Sequence, residues 1–299
     1  MAFYLVTGGA GFVGSNLTDA LIAAGHKVRI IDNFSTGLRS NINPQAELVE
    51  IDFTDLASIK PHFRGIDGVF HVGALPRIPY SIENPIESTQ ANLIGTLNVL
   101  KAAHEAGVKR VVYSASSSAY GDQPELPLHP AMPANPLNPY ALQKYVGEKF
   151  CEQFHRFYGL ETVSLRYFNL YGPRMAEEGA YVSVIATFKR QKLANQPLTI
   201  IGDGEQSRDF THVGDAVRAN MLAMESDRVG HGEVLNVGAG EQYSVNYIAD
   251  AFRHEKQYLP ARPGEIRHTR ADISLTKDML GWEPQVKFEE ELKNILSRL

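Results

Sequence analysis

The sequence predicts an α/β fold, a doubly wound parallel sheet with a smaller α/β domain interleaved with it. Three observations support this prediction. Short β-rich runs alternate with helical patterns, a glycine loop separates the first strand from the first helix, and the last third of the chain is richer in turns. Strands that alternate with helices form parallel βαβ units, whose sheet is covered on both faces.

The elements follow from hydrophobic periodicity, with glycine and proline at their ends. The predicted strands are Ala2–Thr7, Val28–Asp32, Leu48–Ile51, Gly68–Val72, Arg110–Ser114 and Thr162–Tyr167, and the predicted helices are Ser15–Ala24, Ser88–Ala106 and Pro139–Tyr158. We expect residues 1–170 and about 206–240 to form the first domain. Residues of about 171–205 and 241–299 would form the second.

Composition narrows the class of protein. The chain has 299 residues, 43% of them hydrophobic, which is ample for a buried core. A net charge of −5 gives no basic field for nucleic acid. The single cysteine, Cys151, allows no intrachain disulfide, and the N-terminus shows no basic leader before an apolar run. We expect a cytoplasmic protein with no membrane partner, no nucleic-acid partner and no metal site.

A glycine loop follows the first strand. Gly9, Gly11 and Gly14 satisfy the spacing G-x-G-x-x-G in Thr7-Gly8-Gly9-Ala10-Gly11-Phe12-Val13-Gly14. The missing side chains permit a tight turn, a close approach of the backbone to a pyrophosphate, and close packing of helix on strand. The helix that follows offers free N–H groups to phosphate. The loop therefore predicts a Rossmann-like dinucleotide site.

Asp32 defines the expected cofactor more closely. It ends the second strand, 18 residues after Gly14, where a carboxylate can accept hydrogen bonds from ribose hydroxyls. The same charge would repel a 2′-phosphate, which favours NAD over NADP. Asp52 and Phe53 follow the third strand and could place a carboxylate and a ring near the adenine.

Tyr140 and Lys144 lie four residues apart on a predicted helix and share one face. A tyrosine is a poor base at neutral pH unless a nearby ammonium lowers its pKa. Such a tyrosine can act as a general base toward an alcohol. The serine run Ser114–Ser118 ends a strand of the same sheet, at the edge where open α/β sheets place their sites. A serine hydroxyl there could hold the reacting hydroxyl against Tyr140.

These motifs together resemble the extended short-chain dehydrogenase/reductase family, and within it the UDP-sugar 4-epimerases of the UDP-glucose and UDP-N-acetylglucosamine type. The resemblance runs nearly end to end. Besides the glycine loop, it rests on Asp32–Gly37, Ser116–Gly121, Pro139-Tyr140 with Lys144, Arg166–Arg174, Gly202–Phe210 and Arg262–Glu265.

The resemblance implies a role for each group of residues. Tyr140 would be the base, Lys144 would hold the NAD ribose, and Ser116 with Ser117 would bind the reacting hydroxyl. The implied NAD contacts are Gly8, Gly11, Phe12, Val13, Gly14, Asp32, Asn33, Ser35, Thr36, Gly37, Asp52, Phe53, Val72, Gly73, Ala74, Ser114, Tyr140, Lys144 and Tyr167. The implied substrate contacts are Ser116, Ser117, Asn169, Val184, Thr199, Arg208, Arg262, Glu265 and Thr269. Asn169 and Arg208 would bind the diphosphate, Arg262 and Glu265 phosphate and uridine ribose, and Val184 would lie beside the uracil.

The implied reaction is redox-neutral. Tyr140 takes the proton of the sugar C4 hydroxyl while NAD takes hydride from C4, and both return after the 4-keto sugar has turned over. The similar 4,6-dehydratases carry Thr-Asp-Glu, and the related UDP-glucuronate decarboxylases usually Thr-Ser-Glu, where this chain has Ser116-Ser117-Ser118. Serines cannot supply the acid and base that elimination of water requires.

The identity of the sugar stays open. In similar epimerases a small residue at the position of Thr269 leaves room for a 2-N-acetyl group, which favours UDP-GlcNAc/UDP-GalNAc, with UDP-Glc/UDP-Gal also accepted. UDP-glucuronate 4-epimerisation, a nucleotide-sugar 4-keto reductase and a non-catalytic NAD-sensing protein are the alternatives. The helices at about 92–106 and 140–158 have apolar faces, which in the family often form a four-helix bundle with a second subunit. We expect a homodimer, although both faces could instead pack on the sheet.

Overall fold

The computed structural model describes residues 1–175, 184–261 and 266–299. Its main sheet has seven parallel strands: β1 Phe3–Thr7, β2 Lys27–Asp32, β3 Glu47–Glu50, β4 Gly68–His71, β5 Arg110–Ser116, β6 Glu161–Tyr167 and β11 His231–Val237. They lie in the order β3-β2-β1-β4-β5-β6-β11. The order reverses between β1 and β4, and open α/β sheets place their ligands outside the carboxyl ends of the strands at such a point. The predicted fold class is confirmed.

Eleven α-helices are found within the described ranges. They are α1 Phe12–Ala23, α2 Leu56–Ile59, α3 Ile78–Glu83, α4 Pro85–Thr89, α5 Gly95–Glu105, α6 Pro139–Tyr158, α7 Val184–Leu193, α8 Val213–Glu225, α9 Val245–Phe252, α10 Ser274–Leu280 and α11 Phe288–Ser297. Helices α1 and α8 cover one face of the sheet, around a core that includes Leu17, Val112 and Ala216. Helices α5 and α6 cover the other face. The parallel strands are therefore buried on both sides, as their apolar sequences require.

Short strands outside the main sheet form three further pairs. They are β7 Leu170–Tyr171 with β10 Thr211–His212, β8 Leu198–Ile201 with β13 Lys256–Leu259, and β9 Ser207–Arg208 with β12 Tyr243–Ser244. A separate hydrophobic cluster supports them, built around Phe188, Phe210, Phe252 and Phe288. This cluster gives the carboxyl-terminal half of the chain a core of its own.

The predicted helix Ser88–Ala106 differs from the observed structure. Helix α4 ends at Thr89, a π-helical turn spans Gln90–Ile94, and α5 continues from Gly95. The side chain of Asn92 in this turn bonds to both the N–H and the carbonyl of Leu75, in the loop after β4, at 2.7 and 3.0 Å. The widened turn is therefore tied to the loop it faces, a tertiary contact that periodicity does not encode.

Two other boundaries shift. Helix α1 begins at Phe12, three residues before its predicted start, because the glycine loop itself leads into the first turn. Strand β5 continues to Ser116, so the first serines of the run lie in the sheet. Within the described ranges, no helix combines the length and the apolar character needed to cross a membrane.

Candidate active site

The glycine loop is shaped by contacts that leave no room for side chains. Gly8 has a positive φ of 69°, and a Cβ on it would lie 2.6 Å from the Cα of Gly73, in the loop after β4. A Cβ on Gly14 would lie 2.2 Å from the Gly8 carbonyl oxygen. At Gly11, by contrast, a Cβ would meet one described atom within 4 Å, the Gly8 oxygen at 3.2 Å. The loop is thus tightly packed at Gly8 and Gly14 and more open at Gly11.

That open side faces the start of α1. The N-cap residue is Gly11, which has no side chain to accept from the first-turn N–H groups of Phe12 and Val13. Such N–H groups lack partners within the helix and attract anions. The cradle therefore fits the diphosphate of a dinucleotide.

Asp32 is buried at the rim of this cradle, with 6% of its surface exposed. Its two carboxylate oxygens accept from the N–H groups of Ala10 and Phe34, at 2.9 and 2.8 Å. Each oxygen has a further lone pair for a ribose hydroxyl. Gly37 packs closely here, since a Cβ on it would lie 2.6 Å from the Ala10 Cβ. The Asp32 carboxylate thus orders the loop and can still accept hydrogen bonds from ribose hydroxyls.

The segment after β2 turns toward the end of β3. The amide of Asn33 donates to Asp52 at 2.8 Å and its oxygen accepts from the N–H of Ser35 at 3.0 Å. The Phe53 ring lies between Gly73 and Gly95, where added Cβ atoms would lie 2.6 and 2.4 Å from it. Phe53 therefore supports the loop after β4.

A buried chain of hydrogen bonds that the sequence did not reveal runs beneath the cofactor loops. The N–H of Gly73 donates to Thr7 Oγ1 at 3.1 Å, and this hydroxyl lies 2.7 Å from Nδ1 of His71. On the other side, His71 Nε2 lies 2.9 Å from Thr96 Oγ1, which donates to the Asn92 carbonyl. Because Thr96 gives its proton away, His71 donates from Nε2 and accepts at Nδ1. Burial lowers the pKa of His71 to about 3, so the ring stays neutral.

Lys144 lies deep in the site. It is 3% exposed, its Nζ donates to the Ser114 carbonyl at 2.8 Å, and it lies 4.8 Å from the centre of the Tyr113 ring. Burial lowers the pKa of this ammonium to about 8, while the nearby Cys151 and Glu148 oppose the shift. At neutral pH the group is therefore charged but easily deprotonated.

Tyr140 stands one helical turn before Lys144 and is half-buried. The Asn138 side chain caps α6 by accepting from the N–H of Ala141 at 2.9 Å, and Pro139 occupies the first turn. The backbone N–H of Tyr140 donates to Ser81 Oγ of α3 at 3.2 Å. The start of the helix that carries the pair is thus fixed from two sides.

The serine run borders the same helix. Ser116 Oγ lies 2.8 Å from Ser118 Oγ and caps the 3-10 turn Ser117–Tyr120. Ser114 Oγ pairs with the Tyr167 hydroxyl at 3.0 Å, and that hydroxyl also bonds to Asn220 of α8. Burial raises the pKa of Tyr167 to about 12, so it stays protonated. The carboxyl ends of β5 and β6 and the face of α6 thus meet at one point.

A buried ion pair holds α6 against the sheet. Arg166 of β6 donates to both oxygens of Glu148 at 2.8 and 2.7 Å, and the two side chains are 4% and 1% exposed. The guanidinium also lies 4.4 Å from the centre of the Tyr120 ring, just after the serines. No sequence motif indicated this pair, although Glu148 follows Lys144 by four residues on the same face.

The predicted substrate residues lie at the boundary of the small strands. Asn169 is exposed beside β7, and Arg208, in β9, donates to the carbonyls of Ser207 and Arg267. Thr269 is 4% exposed, and its hydroxyl accepts from the N–H of Asp209 at 3.3 Å.

The other predicted substrate residues lie in α7 and β8 or outside the described ranges. Val184 begins α7, and Thr199 of β8 bonds through its hydroxyl to Gln191 at 2.7 Å. Arg262 and Glu265 lie outside the described residues.

The arrangement places a glycine cradle and a tyrosine, lysine and serine group at the same edge of the sheet. A tyrosine one helical turn before a buried lysine, on a helix that packs against a serine run, is typical of dinucleotide-dependent enzymes of the short-chain dehydrogenase class. Among the residues that the structure describes, no group of three or more His, Cys, Asp or Glu side chains is placed to hold a metal ion.

Comparison with known proteins identifies the family of the chain. Residues 4–238 match the NAD dependent epimerase/dehydratase family, and the chain belongs to this family. A UDP-glucose 4-epimerase from Mycolicibacterium smegmatis is 34% identical, over 96% of this chain and 95% of the relative.

Two solved structures are similar throughout. One is a UDP-glucose 4-epimerase from Thermotoga maritima with UDP-glucose, with a TM-score of 0.93 and 36% identity over 99% of this chain and 97% of that one. The other is a UDP-N-acetylglucosamine 4-epimerase from Methanobrevibacter ruminantium in complex with UDP-N-acetylmuramic acid, with a TM-score of 0.93 and 37% identity over 99% and 97%. The predicted family and the NAD dependence are thereby confirmed.

Proposed function

We propose that the protein is an NAD-dependent 4-epimerase of a UDP-hexose, acting on UDP-GlcNAc/UDP-GalNAc, on UDP-Glc/UDP-Gal, or on both. The buried Lys144, one helical turn after Tyr140 and bonded to the strand that ends in serines rather than acidic residues, carries this proposal. The names of the similar proteins support the substrate class.

The chain's own residues handle a proton and hold the reacting sugar. Tyr140 accepts the proton of the C4 hydroxyl, and the Lys144 ammonium favours the phenolate by charge attraction. Ser116 and Ser117 orient the hydroxyl toward Tyr140. Bound NAD supplies reversible acceptance of hydride from C4. Tyr140 then returns the proton after the 4-keto sugar has turned over, so the enzyme ends each cycle unchanged.

The nucleotide provides the anchor during this turning step. We assign Asn169, Arg208 and the predicted Arg262 and Glu265 to the UDP moiety, with Val184 and Thr199 in its neighbourhood. An arginine suits a diphosphate because its planar fork donates two bonds at once. These residues lie in or beside the second domain, for which we retain the boundaries of about 171–205 and 241–299.

The choice of sugar depends on the wall around C2. Thr269 is small, buried and fixed by its bond from Asp209, so it leaves more space than a bulky residue would. A panel of UDP-Glc, UDP-GlcNAc and UDP-glucuronate tests this. Turnover of UDP-GlcNAc at a rate comparable to that of UDP-Glc supports the proposal. Turnover of UDP-glucuronate alone would refute it in favour of a UDP-glucuronate 4-epimerase.

We further propose that the enzyme forms a homodimer in the cytoplasm. Ile82, Ile86 and Leu142 are 60%, 85% and 51% exposed, and they lie on α3, α4 and α6, three helices that pack against one another. Burying these apolar side chains against a second copy removes them from water. Cys151 is free and buried, which suits a reducing compartment. Sedimentation of the wild type and of Leu142→Glu tests the dimer.

The decisive variant for the chemistry is Tyr140→Phe. Loss of the general base should lower kcat by about 10²–10⁴-fold while bound NAD remains with the protein. The matched control is Tyr145→Phe. It removes a hydroxyl from the residue that directly follows Lys144 on the same helix, and this variant should keep its activity. Retained activity in Tyr140→Phe would refute the assignment.

A further inference from the structure

Asp209 is a fully buried carboxylate that no proposed step uses. Its side chain is 0% exposed, and it follows Arg208 directly in the chain. A buried carboxylate is costly unless hydrogen bonds compensate it. The partners of Asp209 therefore show what the charge does in this fold.

Four donors from three chain segments converge on Asp209. The N–H groups of Ala239 and Gly240, just after β11, donate at 2.7 and 2.9 Å. The N–H of Ala271 donates at 3.0 Å, and the hydroxyl of Thr211 at 3.2 Å. The carboxylate thus joins the end of the main sheet to the segment that carries Arg208 and to a segment 62 residues further along the chain.

The close packing around the carboxylate is built into the sequence. A Cβ on Gly238 would lie 2.9 Å from an Asp209 oxygen and 2.3 Å from the Ala271 Cβ. A glycine at this position lets the three segments approach one another. The burial is therefore a specific arrangement rather than a side effect of a large core.

The residues next to this junction are those assigned to the nucleotide sugar. Arg208 precedes Asp209, and the backbone N–H of Asp209 donates to Thr269 Oγ1 at 3.3 Å. The N–H of Thr211 donates to the carbonyl of Asn169 at 3.2 Å. One carboxylate is thus connected to three proposed substrate contacts.

We infer that Asp209 is a positioning residue of the nucleotide-sugar site, which holds the segments carrying Arg208 and Thr269 onto the sheet that carries the NAD site. The inference rests on the proposed function, because it takes those residues as substrate contacts. Asp209 itself is sealed from the substrate by its own partners and acts through them.

An asparagine cannot replace this carboxylate. Its single oxygen can accept two bonds, while its NH₂ group would point donor to donor at the remaining N–H groups. Each buried donor left without a partner weakens the junction. Asp209→Asn should therefore loosen the substrate segments and leave the glycine cradle and the Tyr140–Lys144 pair in place.

Asp215 offers a matched control. It is also buried, at 2% exposure, and its carboxylate accepts from the backbone N–H groups of Gln285 and Val286, at 2.9 and 3.0 Å. It fixes the segment before α11 to the start of α8, with no direct bond to a proposed substrate contact. Asp215→Asn should therefore destabilise the fold without altering substrate affinity.

The experiment compares both variants with the wild type as NAD-loaded enzymes. KM and kcat for UDP-glucose, calorimetric binding of UDP, NAD content and melting temperature are measured for each. We expect Asp209→Asn to raise KM and the Kd for UDP by about tenfold or more, with kcat within about threefold and NAD content unchanged. Asp215→Asn should lower the melting temperature and keep KM and Kd within about twofold.

Equal KM and Kd values in Asp209→Asn and the wild type, or equal increases in both variants, would overturn the inference. If Asp209→Asn does not fold, Thr211→Val removes one donor to the carboxylate at nearly constant size. A rise in the Kd for UDP then supports the inference, and an unchanged Kd refutes it. UDP binding also separates the two proposals, because an enzyme that binds UDP but epimerises none of the sugars refutes the proposed function alone.

Discussion

Replacing Lys144 with methionine should change how the stability of the protein depends on pH. The ammonium is 3% exposed, and burial lowers its pKa from 10.5 to about 8. This pKa difference corresponds to about 3 kcal/mol by which burial disfavours the charged form in the folded state. Methionine has a similar length and no charge, so Lys144→Met removes that disadvantage.

The sign follows from proton linkage. Below pH 8 both states carry the ammonium, and the full disadvantage is present in the wild type. Between pH 8 and 10.5 the folded protein releases the proton while the unfolded chain keeps it, so wild-type stability rises with pH. Relative to the variant, the wild type should gain about 2–3 kcal/mol of stability between about pH 7 and 10. The variant also loses the hydrogen bond to the Ser114 carbonyl. This loss lowers its stability by an amount that changes little with pH, so it does not alter the predicted pH dependence.

Denaturant unfolding of the two proteins, stripped of NAD, at several pH values measures this difference. Lys149→Met removes an exposed ammonium from the same helix and controls for the loss of one positive charge. A stability difference between wild type and Lys144→Met that is the same at pH 7 and pH 10 would refute the reasoning, since it would mean that Lys144 holds its charge without a burial cost.

Three further variants test the ion pair, the cradle and the cofactor preference. Arg166→Met should lower the free energy of unfolding by about 3–5 kcal/mol, because it leaves the Glu148 carboxylate buried without its partner. Denaturant titration measures this, and a loss under about 1 kcal/mol would contradict the role of the pair. Gly14→Ala should weaken NAD binding about tenfold or more, because its Cβ would lie 2.2 Å from the Gly8 oxygen. Fluorescence titration with NAD gives the affinity, and an unchanged value would show that the loop tolerates the side chain. Asp32→Asn should narrow the preference for NAD over NADP, since the repelling charge is gone. The test is the ratio of the dissociation constants for NADP and NAD, measured for the wild type and for Asp32→Asn. The same ratio in both proteins would exclude this explanation.

The architecture was predictable because its signals are local. Apolar runs, glycine positions and the proline before Tyr140 place six of the seven strands of the main sheet, with helices α1 and α6, to within a few residues. Strand β11 and helix α8 were not predicted. The π-helical turn at Gln90–Ile94 was not predictable, because the bond between Asn92 and Leu75 that accompanies it joins the helix to a loop 17 residues earlier in the chain. A helical pattern carries no trace of such a contact.

The site was predictable where a short motif contains the chemistry. Tyr140, Lys144 and the glycine cradle are of this kind, although their roles in substrate and cofactor binding remain predictions. The supporting residues were missed, because His71, Glu148 and Asp209 act through partners distant in sequence. Each is a polar residue in an otherwise apolar or motif-rich stretch, which is the signal that could have singled it out.

The most direct test of the central claim is the incubation of the purified protein with UDP-glucose and UDP-GlcNAc, without added NAD. Product sugars are separated by chromatography while NADH is followed by its absorbance. We predict that the C4 epimer forms until equilibrium with no net change in NADH, because the hydride returns to the carbon it left. Absence of turnover on both UDP-sugars, or turnover that occurs only after stoichiometric NADH or NADPH is added, would contradict the account.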